Sequence, residues 1–270
     1  MIDNSDFYTQ MVNKIWDVDG DYQRELVKYI AENIRRMPAD ILLDYKCFCV
    51  PDDSYLDYIT EGRASLDRYG LYNGDRCKYT GRFIIPLYDF MGKVCGFSGY
   101  DDGSNLSEGE HHVKYLYQDK LVFDKERNWL IKPEEYRKAI ELGYIVLTDG
   151  VFDKLMLTHA GHPSASLLGS NLSAKYHVKY LRPIPKWIVA RDQDNAGTDL
   201  YNKCKYYNKN TILLDYYSTK DIDDRLKMPD GFKKLESAFN QLKREGFTLD
   251  INIDGLNYKP LKKRLMVSGL

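Results

Sequence analysis

No apolar run in the 270 residues approaches the roughly 20 needed to cross a bilayer, which excludes an ordinary membrane-spanning helix. The amino terminus, MIDNSDFYTQ, is acidic and polar where a secretory signal carries a basic and then an apolar segment. Cysteine is scarce. The five thiols, Cys47, Cys49, Cys77, Cys95 and Cys204, are odd in number and irregularly spaced, without paired CxxC modules, which argues against a disulfide scaffold. An excess of positive charge is missing too: 39 Lys and Arg face 40 Asp and Glu, for a net charge of −1. A polycationic binder is excluded, and any nucleic-acid contact must come from local patches. Internal repeats and low-complexity linkers are also absent. These absences predict a cytoplasmic, reducing location and no membrane partner. At 43% hydrophobic and 29% charged, the chain can bury a sizeable core as one large domain or two small ones. The 23 tyrosines offer stacking surfaces for bases or reflect codon bias, and carry nothing by themselves.

Apolar residues at Tyr22, Leu26, Tyr29, Ile30 and Ile34 recur at helical spacing before Pro38, predicting an amphipathic helix over 21–37. Ser54 and Asp57 suggest a capped short helix to Thr60. The runs RFIIPLYD and KVCGFSG around Phe90-Met91-Gly92 read as a β-hairpin, and VKYLYQ follows the polar loop 101–109 as a further strand. From Pro133 the pattern alternates. Helices are expected over 133–142, 151–159, 173–181, 196–207 and 221–227, between the strands YIVLT, SASLLG, KWIVARD and TILLDY. Repeated β-α-β units imply a mostly parallel sheet covered by helices, with a boundary near residues 130 to 140. A further helix is expected over 232–245, before a basic tail containing Lys259, Lys262, Lys263 and Arg264.

Ligands of open α/β sheets bind where loops leave the carboxyl ends of strands. Three such points are acidic here. YIVLT ends in Asp149-Gly150 with Asp153 beyond, KWIVAR ends in Asp192-Gln193-Asp194, and TILLDY leads to Lys220-Asp221-Ile222-Asp223-Asp224. Singly, each acid reads as a helix-start carboxylate or a partner for Lys154, Arg191 or Lys220. Three clusters at successive strand ends read as a metal site. Carboxylates about 4 Å apart repel by roughly 4 kcal/mol at an effective dielectric near 20. Oxygen-only ligation favours Mg²⁺ or Mn²⁺ over zinc.

The strings DG-x-x-D (Asp149 to Asp153), D-x-D-x-A-G (Asp192 to Gly197) and K-D-x-D-D (Lys220 to Asp224) resemble the acidic motifs of the topoisomerase-primase (TOPRIM) fold. Upstream, GRFIIPLYD, GKVCGFSG and KYL resemble the polymerase core of bacterial DnaG-type primases, in matching order over about residues 50 to 228. The resemblance implies a TOPRIM-type α/β fold with an N-terminal mixed α+β basic subdomain. It divides the chain into a helical segment (1–50), a core subdomain with the hairpin (51–135), the TOPRIM domain (136–228) and a helical segment with the basic tail (229–270). It further implies RNA primer synthesis on single-stranded DNA from ribonucleoside triphosphates by two-metal nucleotidyl transfer, as in short phage-type primases. Asp149, Asp192 and Asp194 would be catalytic. Asp149, Asp153, Asp192, Asp194, Asp221 and Asp223 would hold metal. Arg82, Lys93, Lys114, Tyr115 and Lys220 would contact nucleic acid or nucleotide. The chain departs from the family in having Asp149 where a Glu is usual, Tyr100 where an Arg is usual and Tyr117-Gln118 where Asn-Ser is usual. No zinc-ribbon spacing accompanies the core motifs, so initiation is expected to need the replicative helicase or a separate zinc-ribbon protein.

Two other readings keep parts of this pattern. A TOPRIM nuclease would keep the metal site without needing GRFIIP or KYL, and a non-catalytic DNA-binding scaffold would explain the Asp149 substitution. Cys47, Cys49 and Cys77 with His111 or His112 make a poor zinc signature, so no structural zinc is expected. His159 and His162 read as helix-end caps. Gly169-Ser170-Asn171 reads either as a phosphate-facing turn or as capping. Lys175, Lys179, Arg182 and Lys186 read either as a track for a nucleic-acid backbone or as a solvated helix face.

Overall fold

The computed structural model describes residues 4–60, 63–89, 91–103, 113–118, 123, 128–216 and 218–254. Its first half is helical and antiparallel. Helix α1 (Ser5–Tyr29) runs through a π-helical turn (Ile30–Arg35) to Arg36 in the left-handed region, and α2 (Ala39–Asp44) follows Pro38. Strand β1 (Phe48–Cys49), helices α3 (Tyr55–Thr60) and α4 (Arg63–Arg68), and the small ribbon β2 (Tyr72–Asn73) with β3 (Arg76–Cys77) come next. Then come β4 (Phe83–Tyr88), β5 (Val94–Tyr100) and β6 (Tyr115–Tyr117), and β1-β4-β5-β6 form one antiparallel sheet.

The second half alternates as its sequence pattern predicts. Helix α5 (Pro133–Leu142) leads to β7 (Tyr144–Thr148), α6 (Val151–His159) to β8 (Ser164–Ser166), and a π-helical turn with α7 (Lys179–Leu181) to β9 (Lys186–Ala190). Helix α8 (Asn195–Tyr207) precedes β10 (Ile212–Asp215), and α9 (Ile222–Lys227) and α10 (Gly231–Arg244) precede β11 (Ile251–Asn252). All pairings in the order β11-β10-β9-β7-β8 are parallel. The chain leaves β7 toward β8 on one side and returns to place β9 on the other. This reversal opens a crevice beyond the carboxyl ends of β7 and β9.

Alternation along the strands sorts the core. Val146, Ile188, Ala190 and Leu214 face the apolar cluster shared with the antiparallel half, whereas Ile145, Leu147, Trp187 and Val189 face a second cluster under α7 and α8. No described helix is long and apolar enough to cross a membrane.

Several expectations need correction. The first helix begins at Ser5 and not near residue 21, because Tyr8, Met11, Val12 and Ile15 continue the buried stripe. The charged stretch around Gly20 only kinks the helix, at Asp19 (φ −121°, ψ 20°). Ser54 does not cap α3, since its hydroxyl donates to Asp52 at 2.7 Å. The capping reading holds for the His162 backbone, whose amide donates to the Leu157 carbonyl at 3.0 Å beyond Gly161, and not for the two imidazoles. His159 faces Asp40 across 3.4 Å, while His162 stacks on Phe239 and bonds the Tyr144 hydroxyl. Phe90, the loop residues 104–109, His111, His112 and the tail Lys259, Lys262, Lys263 and Arg264 lie outside the described residues.

The two halves meet at a buried ion pair within the second half, which Tyr45 of the first half joins. Lys154 on α6 is fully enclosed, and its ammonium donates to the Glu135 carboxylate, the Tyr45 hydroxyl and Thr158 Oγ1. Glu135 also accepts from Tyr45 at 2.7 Å, from Thr158 at 2.8 Å and from the Lys132 amide at 2.8 Å. Burial works to raise the Glu135 carboxyl, but the Lys154 ammonium and these donors hold it below the usual carboxylate range. Burial also lowers Lys154 to about 8. Removing one partner strands the other charge in a dry site. Glu135→Ala is expected to cost about 3–5 kcal/mol in urea unfolding, and the double change Glu135→Leu/Lys154→Met to recover most of it. A single change as mild as a surface substitution would contradict this role.

Candidate active site

The crevice beyond β7 and β9 is a cleft of about 580 Å³. Asp149 leaves β7, Asp153 sits in the first turn of α6 and Asp192 leaves β9. Oxygens of these three carboxylates lie within 4.8 Å of one another. Asp221, Asp223 and Asp224, around the start of α9, form a second group of the same tightness. Thus Asp149, Asp153, Asp192, Asp221 and Asp223 line one cleft, with Lys114, Tyr115 and Lys220.

Two glycines make the convergence possible. A Cβ on Gly150 would stand 2.0 Å from Asp153 Oδ2, and one on Gly197 would stand 2.4 Å from the Asp192 carbonyl oxygen. The glycines of the first two acidic strings therefore serve close approach. Gly169 lines the cleft, but its amide already donates to the Asp149 carbonyl at 2.9 Å, so it does not offer that amide to a phosphate. The nearby cap is Ser173, whose hydroxyl accepts from the Tyr176 amide.

Electrostatics follow from crowding. Burial raises Asp192 to about 7, with Asp149, Asp221 and Asp194 adding to the effect. Burial, reinforced by Asp192, Asp223 and Asp221, pushes Asp153 well above the usual range. Asp149 rises through burial with help from Asp194 and Asp221. Below the cluster, the buried Tyr216 phenol is pushed far up by burial and these carboxylates, and its hydroxyl has no hydrogen-bond partner among the described residues.

Asp223 is the most engaged acid. It pairs with Arg35 and, at 2.7 Å, with Lys227. Its Oδ1 is nonetheless buried without a hydrogen-bond partner among the described residues. An orphaned acceptor among several carboxylates of raised pKa fits a hard divalent cation, which takes oxygen ligands and replaces the missing counter-charge.

Asp194, Arg82 and Lys93 are not among the residues lining the cleft, and Asp194 shares a second role with Asp221. Asp194 caps α8 by accepting from the Gly197 amide at 2.9 Å, and Asp221 likewise caps α9 through the Asp224 amide. The helix-start reading therefore holds for both, alongside proximity to the cluster. Arg82 donates to the Val113 carbonyl at 2.9 Å and faces Asp101, outside the cleft lining. Lys93 lies at the β4–β5 turn, 2.9 Å from Asp6 of α1, and is not in the cleft. Gln118 is buried and accepts from the Phe97 amide, a structural role.

Arg35 was not predicted. It enters the cleft from the π-helical turn after α1, with its guanidinium 3.9 Å from the centre of the Phe152 ring and 3.3 Å from the Tyr100 hydroxyl. Tyr100 occupies the position where the resembling family usually has Arg, so a cation from another element stands beside that position. Arg35 and Asp223 are 188 residues apart, and no local pattern signals their pairing.

A parallel sheet with acidic strand ends thus faces an antiparallel subdomain across a cleft. No family model matches the chain. The chain is 31% identical over 138 residues to the DNA primase of Thermotoga maritima, covering 49% of this chain and 23% of that protein. It is 24% identical over 210 residues to the DNA primase of Mycoplasma genitalium, covering 73% and 32%. The chain thus spans about a quarter to a third of these curated relatives. Among solved structures, the RNA polymerase domain of the Mycobacterium tuberculosis primase DnaG superposes with a TM-score of 0.66 at 15% identity, over 84% of this chain and 82% of that one. A DnaG primase catalytic domain bound to single-stranded DNA superposes with a TM-score of 0.64 at 18% identity, over 86% and 78%. The fold is that of the DnaG-type primase catalytic core.

The raised Asp192 sets a pH test. An unfolded Asp ionises near pH 4, whereas folded Asp192 holds its proton to about 7, so folding binds protons between these values. Asp192 therefore removes stability from the metal-free protein as pH rises from about 4 to about 7. With chelator present, Asp192→Asn should melt higher than the parent at pH 7.5, with the difference vanishing below pH 4. Mg²⁺ should raise the melting temperature of the parent more than that of the variant. A variant less stable than the parent at pH 7.5 would contradict the crowding.

Proposed function

We propose that this chain is the catalytic core of a DNA primase, joining ribonucleotides on a single-stranded DNA template. The observation that carries the reading is the placement of acids from three successive strand ends opposite Arg35, Lys114 and Lys220 in one cleft of a primase-core fold. Asp149, Asp153 and Asp192, with Asp221 and Asp223, would hold Mg²⁺ or Mn²⁺. Such ions lower the pKa of a hydroxyl and take up charge on a transferring phosphoryl group. The growing 3′-oxygen attacks the α-phosphorus of a nucleoside triphosphate, the bond to the β-phosphate oxygen breaks and pyrophosphate leaves. Asp149 either accepts the hydroxyl proton or acts as a ligand. Lys114 and Lys220 meet the triphosphate or template phosphates, and Tyr115 gives the wall between them an aromatic face. Arg35 positions Asp223 and turns its guanidinium toward the same anions. Arg82 and Lys93, outside the cleft lining, would reach only template that continues past it.

Purified protein, single-stranded template, labelled ribonucleotides and Mg²⁺ or Mn²⁺ test this reading directly. Oligonucleotide product supports it. Cut template would indicate a nuclease, and neither product would indicate a scaffold. Because joining two unanchored nucleotides carries the largest entropic cost, extension of an annealed primer is expected to exceed initiation, and an added helicase or zinc-ribbon protein to narrow the gap. Asp192→Asn is expected to slow synthesis by at least about 100-fold with the fold intact. Asp149→Glu should retain activity, whereas Asp149→Ala should lose it. Alanine at either position with parental rates would remove that residue from the mechanism.

A further inference from the structure

The chain is neutral overall, yet one face is not. Residues 174–186 and 200–211 hold seven Lys or Arg and no Asp or Glu. The first segment is the turn and helix before β9, and the second is the end of α8 before β10. They meet at the amino-terminal edge of the parallel sheet, where the Asn208 side chain donates to the Pro185 carbonyl at 3.1 Å. A hollow of about 330 Å³ lies between them, floored by Val178, Ile184 and Trp187 and rimmed by Arg182, Tyr207 and Asn210. A second hollow, adjoining Lys186, Lys205 and Lys209, continues the surface. The one carboxylate lining it, Asp250, is tied to the Leu213 amide at 2.7 Å.

Aromatic rings interleave with these cations. Lys175 lies over Tyr176, Lys179 over Tyr180 and Lys209 over Tyr206, at 5.1 to 5.9 Å from the ring centres. Tyr206 is 72% exposed and Tyr207 43%, so both rings offer open faces to solvent. Lysines spaced among exposed tyrosines, around an apolar hollow large enough for a base, suit a chain that offers phosphates and bare base faces together. Duplex DNA offers only the phosphates.

We propose that this face is a second binding surface for single-stranded nucleic acid, distinct from the acidic cleft. Strand β9 connects them: Lys186 begins it and Asp192 follows it, about 20 Å apart at strand rise. Phosphates pair with Lys179, Arg182 and Lys209, and bases stack on Tyr206 and Tyr207. Positive charge here and negative charge at the cleft orient a strand, so that metal-free acids repel the phosphates the far face attracts. The proposal does not rest on primer synthesis, because a nuclease or scaffold with this fold would carry the same surface.

The test measures binding of a long thymidine homopolymer by fluorescence anisotropy against salt, using the full chain. The triple variant Lys179→Gln/Arg182→Gln/Lys209→Gln should lower the slope of log affinity against log salt by about 2, and the arginine-for-lysine control Lys179→Arg/Lys209→Arg should keep it. Tyr206→Ala/Tyr207→Ala should weaken single-strand binding by at least about fivefold and leave duplex binding unchanged. All the substituted side chains are exposed, and melting curves confirm that the variants fold. Unchanged affinity and slope in the triple variant would overturn the proposal, as would an equal loss for duplex in the tyrosine variant. Either result would leave the primer-synthesis assay untouched.

Discussion

The structure is organised around the concentration of buried negative charge at the carboxyl ends of three parallel strands. Desolvation and mutual repulsion oppose this arrangement, and the surrounding residues answer it piece by piece. Gly150 and Gly197 make room, α6 presents its positive end to Asp153, and Arg35 and Lys227 hold Asp223. What they leave is a cluster in which burial and crowding raise Asp149, Asp153 and Asp192, the last to about 7, and an Asp223 oxygen with no donor among the described residues. Such a site is compatible with a hard divalent cation, which would supply the missing counter-charge.

The antiparallel half completes the site as well as covering the sheet. Arg35 reaches the cleft only because α1 continues through a π-helical turn, and its guanidinium is braced on Phe152 of the opposite half. The same two halves meet at Lys154, one residue beyond Asp153, where Glu135 and Tyr45 lock α6 from behind. The acid that faces the cleft and the lysine that faces the core are neighbours on one helix. Movement of either half would therefore be felt at the cluster.

Charge is segregated within a nearly neutral chain. Net charge conceals this, because acids collected at one end of the sheet cancel cations collected at the other. For a ligand as long as a nucleic-acid strand, the separation matters more than the sum, since each part of the strand meets a local potential within about one Debye length.

Much of the parallel half is legible from sequence because its strands and helices are long enough to show a period, and Pro133 and Gly143 mark the ends of α5 as the capping rules expect. The two-residue strands β1, β2, β3 and β11 carry no period, and the early part of α1 is disguised by the charges around Gly20. The acids were legible for a related reason. A strand end is a local feature, so Asp149, Asp192 and Asp221 could be placed at one sheet edge before the sheet was seen. The helix caps of Asp194 and Asp221 were legible too, being bonds three residues long. Only the tertiary structure decided that Arg35 joins the acids and that Lys93 pairs with Asp6 instead. Local chemistry sets which groups a segment offers, whereas packing between distant elements sets which charges face each other once water is excluded.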